Sequence, residues 1–294
     1  MSMKIWLSAI RVRQWNKQAL IILPLIALGD EVQVLDLGRL IVIAIAFSLV
    51  ASSIYIFNDL QDVAADKLDT VKSKRPFAAG VISTKKGKFI GVILLFTGFL
   101  IMFPVVGQNR PQVLILFGIY LLSNLLYSRF NLKKIRILGL MIVGLGFAIR
   151  FSIGTFVLDL EFSTWAFVLI LQLTMFMLSG KRYQSALRNS SLHTQESGQQ
   201  FWLLSMVIFA AFFAATYSGF ITDLEVVAVW GKEALIISTL PLGLGLVRFV
   251  ELVNHPEKYL ESDATESMTK DYLLLFLVAA FAAILFMGRI SIFT

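Results

Sequence analysis

Long apolar segments recur along the whole of this chain, and they restrict its fold more than any other feature. Of its 294 residues, 57% are hydrophobic and 15% are charged, whereas a soluble domain carries roughly 25% charged residues. Apolar segments of near-spanning length occur at about 18–35, 38–57, 89–107, 112–128, 137–158, 163–179, 201–221, 234–253 and 272–290. The sequence therefore predicts an all-α, polytopic membrane protein with nine transmembrane helices.

The polar stretches between these segments leave no room for a separate soluble domain. The longest are residues 58–88, 180–200 and 254–271, and each is too short to build its own hydrophobic core. We therefore expect a single transmembrane domain over residues 1–294. The apolar residues 19–28 follow several basic residues, as in a signal peptide, but the eight later segments favour a retained first helix.

Cysteine is absent and histidine is scarce, which excludes several kinds of site. Without cysteine the chain has no disulfide, no thiolate nucleophile and no cysteine-ligated metal. His193 and His255 are its only histidines, so a metal site built from several histidines is excluded as well. The net charge of +7 is concentrated in particular connections, which indicates membrane orientation rather than binding to nucleic acid. The sequence does not determine an oligomeric state.

Lysine and arginine gather in alternate connections between the apolar segments. The N-terminus and the 2–3, 4–5 and 6–7 connections hold most of them, whereas the opposite connections hold few, chiefly Arg39, Arg110 and Lys232. Positively charged loops stay on the cytoplasmic side of a membrane. The sequence therefore predicts a multi-pass protein of the inner (cytoplasmic) membrane, with its charged loops facing the cytoplasm and its C-terminus facing outward.

The densest group of charges follows the second apolar segment. Asp59, Asp62 and Asp66 are spaced i, i+3 and i+7, which places three carboxylates on one face of a helix. Carboxylates stacked in this way repel one another unless a cation lies between them. Oxygen ligands favour a hard cation, and Mg²⁺ usually combines a few carboxylates with substrate phosphates. The spacing predicts a magnesium site; the alternative is an acidic helix end that faces water.

A basic loop comes directly after these carboxylates. Lys72, Lys74 and Arg75 lie within it, and each is able to contact a phosphate group. Carboxylates followed by a basic loop at a membrane surface predict a site for Mg²⁺ and diphosphate.

Basic and aromatic residues also end other predicted spans on the same side. The candidate substrate contacts among them are Tyr127, Lys133, Lys181, Arg182 and Tyr183. Tyrosines at the membrane interface and ordinary positive-inside lysines are the alternative interpretation.

Arg150 is an isolated charge about half way along the fifth predicted span. A guanidinium inside a membrane is costly, and such a residue is by default a functional hypothesis with an anionic partner. The partner is either one of the carboxylates at 59–66 or a substrate phosphate; a structural ion pair inside the bundle is the alternative.

The charged segment resembles a known family. Asn58-Asp59-x-x-Asp62-x-x-x-Asp66, with Lys-Arg-Pro at 74–76 and Ala-Ala-Gly at 78–80, is similar to the first aspartate-rich motif of the UbiA superfamily of intramembrane prenyltransferases. The resemblance implies a UbiA-like bundle of nine transmembrane helices that binds diphosphate through Mg²⁺ on the cytoplasmic side.

Further motifs resemble one branch of that superfamily, the decaprenyl-phosphate phosphoribosyltransferases. They are Arg13-Gln14-Trp15-x-Lys17, Tyr127-Ser128 with Leu132-Lys133, Gly146-Phe147-Ala148-Ile149-Arg150, and Gly180-Lys181-Arg182-Tyr183. The implied reaction is the Mg²⁺-dependent transfer of 5-phosphoribose from phosphoribosyl diphosphate to a polyprenyl phosphate, which would serve synthesis of a cell-envelope glycan.

The resemblance also implies roles for individual residues. Asp59, Asp62 and Asp66 would hold Mg²⁺, and Asn58 would orient them. The candidate substrate-binding residues are Lys17, Lys72, Arg75, Tyr127, Lys133, Arg150, Lys181, Arg182 and Tyr183. The isoprenoid chain would run between helices into the lipid.

Two departures from the superfamily pattern bear on the reaction. Typical prenyltransferases carry a second aspartate cluster after the sixth span, where this chain has Lys181, Arg182 and Tyr183. Cations in that place suit a second anionic substrate, such as a lipid monophosphate. Gly139 stands where relatives often have aspartate.

Two other functions remain open from the sequence. One is a prenyltransferase that moves an isoprenoid from its diphosphate to an aromatic or glycerol-phosphate acceptor. The other is a membrane transporter or scaffold without enzymatic activity, although transporters usually place their polar residues near the midplane, and here nearly all lie at one face.

Overall fold

The computed structural model of the protein describes residues 3–69, 72–129, 132, 135–188, 196–255 and 271–291. Within these ranges the chain is helical and forms no β-strand. The α-helices are α1 Met3–Ala9, α2 Ala19–Ile22, α3 Val34–Gln61, α4 Val63–Asp66, α5 Thr84–Met102, α6 Arg110–Arg129, α7 Arg136–Val157, α8 Thr164–Arg188, α9 Glu196–Thr222, α10 Leu224–Trp230, α11 Lys232–Asn254 and α12 Tyr272–Ser291.

Seven helices of the described ranges are long and apolar enough to cross a membrane, which makes this a multi-pass membrane protein. They are Val34–Gln61, Gly107–Arg129, Arg136–Val157, Thr164–Leu187, Gly198–Thr222, Lys232–Asn254 and Tyr272–Ile290. The all-α prediction is confirmed, but the structure supports seven of the nine predicted spans. The two exceptions are the first segment, at 18–35, and the third, at 89–107.

The first predicted span is not one continuous α-helix. The chain forms a 3₁₀-helix at Val12–Gln18, the single α-helical turn α2, and a second 3₁₀-helix at Leu23–Glu31. Pro24 lacks the N–H that would continue the α-helical hydrogen bonding. Gly29, at φ 60° and ψ −122°, then interrupts the helix with a conformation that other residues rarely adopt.

The third predicted span forms the regular helix α5, which starts earlier than expected. Ser83 caps it by accepting a hydrogen bond from the backbone N–H of Lys86. Lys85, Lys86 and Lys88 fall at its beginning, so the uncharged remainder of this 19-residue helix, 89–102, is shorter than the roughly 20 apolar residues that span a membrane.

The described chain divides into two compact units, and the first comprises residues 1–25, 33–142 and 149–162. Within it α3 packs along α5. A side chain at Gly98 would meet the carbonyl oxygen of Ala46 at 2.7 Å, so glycine permits the close approach of these helices. Likewise a side chain at Gly154 in α7 would collide with the carbonyl oxygen of Ile21.

The second unit comprises residues 26–32, 143–148 and 163–294. Here α8 packs against α9, and α11 packs against α12. A buried hydrogen bond of 2.5 Å joins the hydroxyls of Tyr217 and Ser238, next to the apolar side chains of Phe220 and Leu235. The prediction of a single domain stays a prediction.

Candidate functional site

Two of the three predicted carboxylates are buried at neighbouring helix ends in the first unit. Asp59 lies near the end of α3 and Asp66 ends α4, and they are 4% and 3% exposed. The backbone leaves helical geometry between them, at Asp62 with φ −88° and ψ 1°. The hydrogen bond from the Asp66 N–H to the Asp62 carbonyl, at 2.8 Å, nevertheless keeps the turn compact.

Two arginines neutralise these carboxylates. Nη1 of Arg75 lies 3.1 Å from Oδ1 of Asp59 and 2.8 Å from Oδ2 of Asp66. Nη2 of Arg11 lies 2.5 Å from the same Oδ1 of Asp59. We call these four residues the aspartate cluster. It brings two negative and two positive charges together, so its formal charge balances.

Asp62 differs from its two neighbours because its side chain is only half buried. The three carboxylates were predicted to share one face of a helix, and that helix is interrupted at Asp62. The part of Asp62 in a metal site stays a prediction. No group of three Asp, Glu or His side chains in the described part of the chain is close enough to hold a metal ion by itself.

The aspartate cluster nevertheless suits a hard cation. Both carboxylates lie within 3.1 Å of one cationic atom, Nη1 of Arg75, so they already converge on a single positive charge. Within the described ranges, Oδ2 of Asp59 and Oδ1 of Asp66 accept no hydrogen bond. A pair of buried carboxylates with oxygens available, beside the half-buried Asp62, fits the donor chemistry of Mg²⁺, whose shell is completed by water and phosphate oxygens.

The residue before Asp59 is held in place by a different helix. Oγ of Ser128, near the end of α6, donates a hydrogen bond of 2.7 Å to Oδ1 of Asn58. Ser128 therefore fixes the end of α3 and with it the direction of Asp59. Tyr127 is half buried beside Ser128.

The cations of the basic loop have different partners in the structure. Nζ of Lys72 lies 3.5 Å from Oδ2 of Asp69, an exposed pair, and Arg75 points to the carboxylates. Lys74 lies in the same short 3₁₀-helix, Lys72–Lys74.

Arg150 is buried in a second cluster of the first unit, at 3% exposure. Its Nε donates a hydrogen bond of 2.7 Å to the side-chain oxygen of Gln18, and Nη2 donates one of 3.2 Å to the hydroxyl of Tyr120. The guanidinium also lies 4.7 Å from the ring centroid of Phe47. Hydrogen bonds and an aromatic face thus stabilise the buried guanidinium, and the predicted contact between Arg150 and a substrate stays a prediction.

The N-terminal segment reaches both clusters. Arg11, with φ 53°, turns the chain sharply, and Nε1 of Trp15 donates to Oγ of Ser52 at 3.1 Å. Lys17 is half buried in the 3₁₀-helix Val12–Gln18. Sequence reasoning did not assign Arg11 or Gln18 to a site, and their position next to the Trp15 motif is the only local signal.

The remaining predicted residues belong to the second unit or lie outside the described residues. Lys181, Arg182 and Tyr183 belong to α8 in the second unit; Arg182 is exposed, and Tyr183 packs against the buried cluster of Phe176 and Phe249. Their membership of the same site as Asp59 stays a prediction. Lys133 lies outside the described residues.

Comparisons with known proteins concern the family and the fold of the chain. A model of the UbiA prenyltransferase family matches residues 20–269. A solved UbiA homolog from Archaeoglobus fulgidus, bound to GPP and Mg²⁺, superposes with a TM-score of 0.65 at 12% identity, covering 98% of this chain and 99% of that one. That likeness concerns the fold alone.

Two curated relatives are more similar in sequence. A protein of Mycolicibacterium smegmatis named decaprenyl-phosphate phosphoribosyltransferase is 33% identical over 181 residues, which are 60% of this chain and 55% of that protein. An uncharacterized protein of Sinorhizobium fredii is 32% identical over 196 residues, 64% of this chain and 36% of that protein. The chain thus spans between about a third and just over half of these relatives' length.

Proposed function

This chain belongs to the UbiA prenyltransferase family, and on that premise we propose that it transfers 5-phosphoribose from phosphoribosyl diphosphate to a polyprenyl phosphate of the decaprenyl type, releasing diphosphate. The observation that carries the proposal is the aspartate cluster, where Asp59 and Asp66 converge on one cationic atom at the end of a membrane-spanning helix. The name of the Mycolicibacterium relative supports the choice of donor and acceptor.

The proposed reaction forms one bond and breaks one bond. A phosphate oxygen of the lipid attacks C1 of the phosphoribosyl group, and the bond from C1 to the diphosphate breaks. The attacking oxygen is already anionic at neutral pH, so no strong general base is required. Catalysis then rests on holding two anionic substrates in line and on stabilising the charge of the leaving diphosphate.

The residues of the aspartate cluster form the proposed binding site for the leaving diphosphate. Asp59 and Asp66, with Asp62, would hold Mg²⁺, which supplies Lewis-acid stabilisation to the diphosphate. Asn58, fixed by Ser128, keeps Asp59 directed into the cluster. If a metal ion bound the carboxylates of Asp59 and Asp66, Arg75 would be able to contact a phosphate group instead.

Other cations are assigned to the substrates by the same proposal. Lys17 and Lys72 of the first unit, and Lys133, would contact the diphosphate and the ribose 5-phosphate. Lys181, Arg182 and Tyr183 stand where typical family members have a second aspartate cluster, and we assign them to a substrate phosphate. Tyr127 is assigned to the substrate and Arg150, whose contacts are structural, supports the site from within the bundle.

We also propose the membrane in which the protein lies and its orientation there. We assign it to the cytoplasmic membrane with nine spans, its substrate site facing the cytoplasm and its acceptor coming from the lipid. The alternating lysine and arginine content of the connections supports this orientation.

The test is a transfer assay with purified protein in lipid nanodiscs. Phosphoribosyl diphosphate labelled in its ribose, a polyprenyl phosphate and Mg²⁺ are supplied, and the label that enters the lipid phase is measured. We expect transfer by the wild type and loss of transfer with EDTA or with Asp59→Ala.

The alternative function is that of a prenyltransferase. The name of the family and the GPP bound to the Archaeoglobus homolog favour this alternative. In the same assay this enzyme would leave phosphoribosyl diphosphate intact and would consume a prenyl diphosphate when an aromatic or glycerol-phosphate acceptor is offered. That result would refute the phosphoribosyl proposal.

A further inference from the structure

A groove of about 790 Å³ runs between α3, α5 and α6 in the first unit. Its walls are apolar and are formed chiefly by Ile54 and Phe57 of α3 and by Leu121, Leu122 and Leu125 of α6. Leu122 and Leu125 are 55% and 51% exposed. Because α3 and α6 both qualify as membrane spans, exposed leucines on them face lipid, and a lipid molecule is able to enter the groove from the bilayer.

One end of the groove is polar. Asn58, Gln61 and Lys88 line it there. Lys88 is exposed, and within the described ranges it makes no ion pair or hydrogen bond through its side chain. The groove therefore has the character of an amphiphile-binding site, with one cation and two amides at one end and aliphatic walls along the rest.

Gly118 widens the apolar part of the groove. It lies in the middle of α6 and lines the groove, and a side chain placed there would meet no atom within 4 Å. Glycine within a helix is destabilising relative to alanine, and no close helix contact at Gly118 accounts for its presence. The open space at Gly118 is instead available to a ligand.

We infer that this groove binds the isoprenoid chain of a polyisoprenyl monophosphate, with the phosphate at Lys88. The inference rests on the proposed function, because it identifies the place where that reaction's acceptor docks. Asn58 connects the two sites: it lines the polar end of the groove, and the next residue, Asp59, belongs to the aspartate cluster. A phosphate at this end lies beside the residues assigned to the diphosphate.

The groove selects its ligand by shape and charge rather than by hydrophobicity. A lipid chain gains little hydrophobic free energy when it moves from the bilayer into an apolar groove, because both environments are apolar. Packing of the chain against Gly118 and the leucines, and a charge-assisted contact between Lys88 and the phosphate, must supply the affinity.

The experiment measures lipid binding apart from the reaction. Full-length protein in phosphatidylcholine nanodiscs is titrated with ³²P-labelled decaprenyl monophosphate, without phosphoribosyl diphosphate. Gly118→Leu fills the groove and also favours the helix, so weaker binding would not reflect unfolding. We expect Gly118→Leu to raise the Kd roughly tenfold or more, and Lys88→Gln to raise it about tenfold, as for the loss of a hydrogen bond to a charged group.

Two matched substitutions serve as controls. Gly38→Leu adds the same side chain in α3, where nothing lies within 4 Å and the groove does not reach. Lys85→Gln removes an equivalent exposed lysine one turn from Lys88. Both are expected to bind decaprenyl monophosphate as the wild type does.

The outcomes separate the groove from the reaction. Unchanged binding in Gly118→Leu and Lys88→Gln would refute the groove even if the wild type transfers phosphoribose. Weakened binding in these variants, with a wild type that transfers no phosphoribose, would support the groove and refute the function. Equal displacement of the label by phosphatidylglycerol would refute an isoprenoid ligand and indicate a general phospholipid site.

Discussion

Arginine–carboxylate clusters occur in both units of the molecule, and the two compared below are built differently. In the second unit Arg248 binds Asp271 at 2.7 Å and Glu251 at 2.7 Å. Asp271 also accepts the backbone N–H of Leu274 at 2.8 Å, so it caps the start of α12. We call these three charged residues the Arg248 cluster.

The two clusters differ in how many of their carboxylate oxygens accept hydrogen bonds. Both oxygens of Asp271 accept hydrogen bonds from Arg248, and one of them caps a helix as well. In the aspartate cluster two arginines converge on a single oxygen of Asp59, and the other oxygen accepts no hydrogen bond from the described residues. A carboxylate with both oxygens engaged is a structural element, whereas one with an oxygen available is able to bind a further cation.

The largest effect is expected from neutralising the aspartate cluster. Asp59→Asn and Asp66→Asn remove the negative charges that the proposed metal needs. Since loss of groups that merely support metal ligands costs 10–100-fold, we expect phosphoribosyl transfer to fall by at least about 100-fold, measured in the nanodisc assay.

The matched control for this prediction is Asp36→Asn. Asp36 lies at the opposite end of the same helix and accepts a hydrogen bond from the backbone of Gln33. Transfer that survives in Asp59→Asn and Asp66→Asn, or is lost equally in Asp36→Asn, would refute a specific role of the aspartate cluster in the reaction.

The next effect concerns Arg150, the most buried arginine among the residues whose side chains the structure describes. Arg150→Met leaves the oxygens of Gln18 and Tyr120 without these donors and removes the contact with Phe47. We expect a loss of about 2–3 kcal/mol of unfolding free energy, seen as a lower midpoint of thermal unfolding in detergent. Arg39→Met, in a more exposed ion pair with Asp159, is expected to cost at most about 1 kcal/mol.

A catalytic role for Arg150 would give the reverse pattern. In that case Arg150→Met would keep its unfolding midpoint and would show a raised KM for a phosphate-bearing substrate.

A smaller effect is expected from the Arg248 cluster. Asp271→Ala removes a helix cap and an ion pair, and loss of a cap alone costs about 1 kcal/mol. We expect a lower unfolding midpoint and unchanged phosphoribosyl transfer. A large loss of transfer at an unchanged midpoint would show that this cluster is functional too.

The smallest expected effect is a dependence of the protein's stability on pH in the acidic range. The hydrogen bonds donated by Arg248 hold the pKa of Asp271 below its ordinary value of 3.8. A lowered pKa in the folded protein adds stability that is fully present above pH 3.8 and is lost as the pH falls through the folded value. The difference in unfolding midpoint between wild type and Asp271→Asn, which still caps the helix, should therefore be constant at neutral pH and shrink below pH 3.8. A difference that stays constant into acid would contradict this.

Much of the molecule follows from local sequence pattern. The apolar segments predicted the helices, and the spacing of Asp59 and Asp66 predicted two carboxylates that are in fact buried together. The family resemblance is confirmed. Pro24 and Gly29, both visible in the sequence, could have warned that the first segment is not one α-helix.

The rest depends on contacts between distant residues. The partners of Asp59 and Arg150 include Arg11 and Gln18, which are 48 and 132 residues away from them. No periodicity encodes such pairs, because each is decided by how the N-terminal segment packs against α3 and α7. The break at Asp62 could not be predicted either, because no proline or glycine lies next to it.

The contacts of the N-terminal segment also become possible in a fixed order while the ribosome makes the chain. Every member of the aspartate cluster lies within the first 75 residues, so it is complete in sequence before α5 is made. The bond between Gln18 and Arg150 spans 132 residues and has to wait for α7. Because chains fold from the N-terminus during synthesis, the early segment must stay available beside α3 until α7 has been made, and a delay in translation after α6 would leave it exposed.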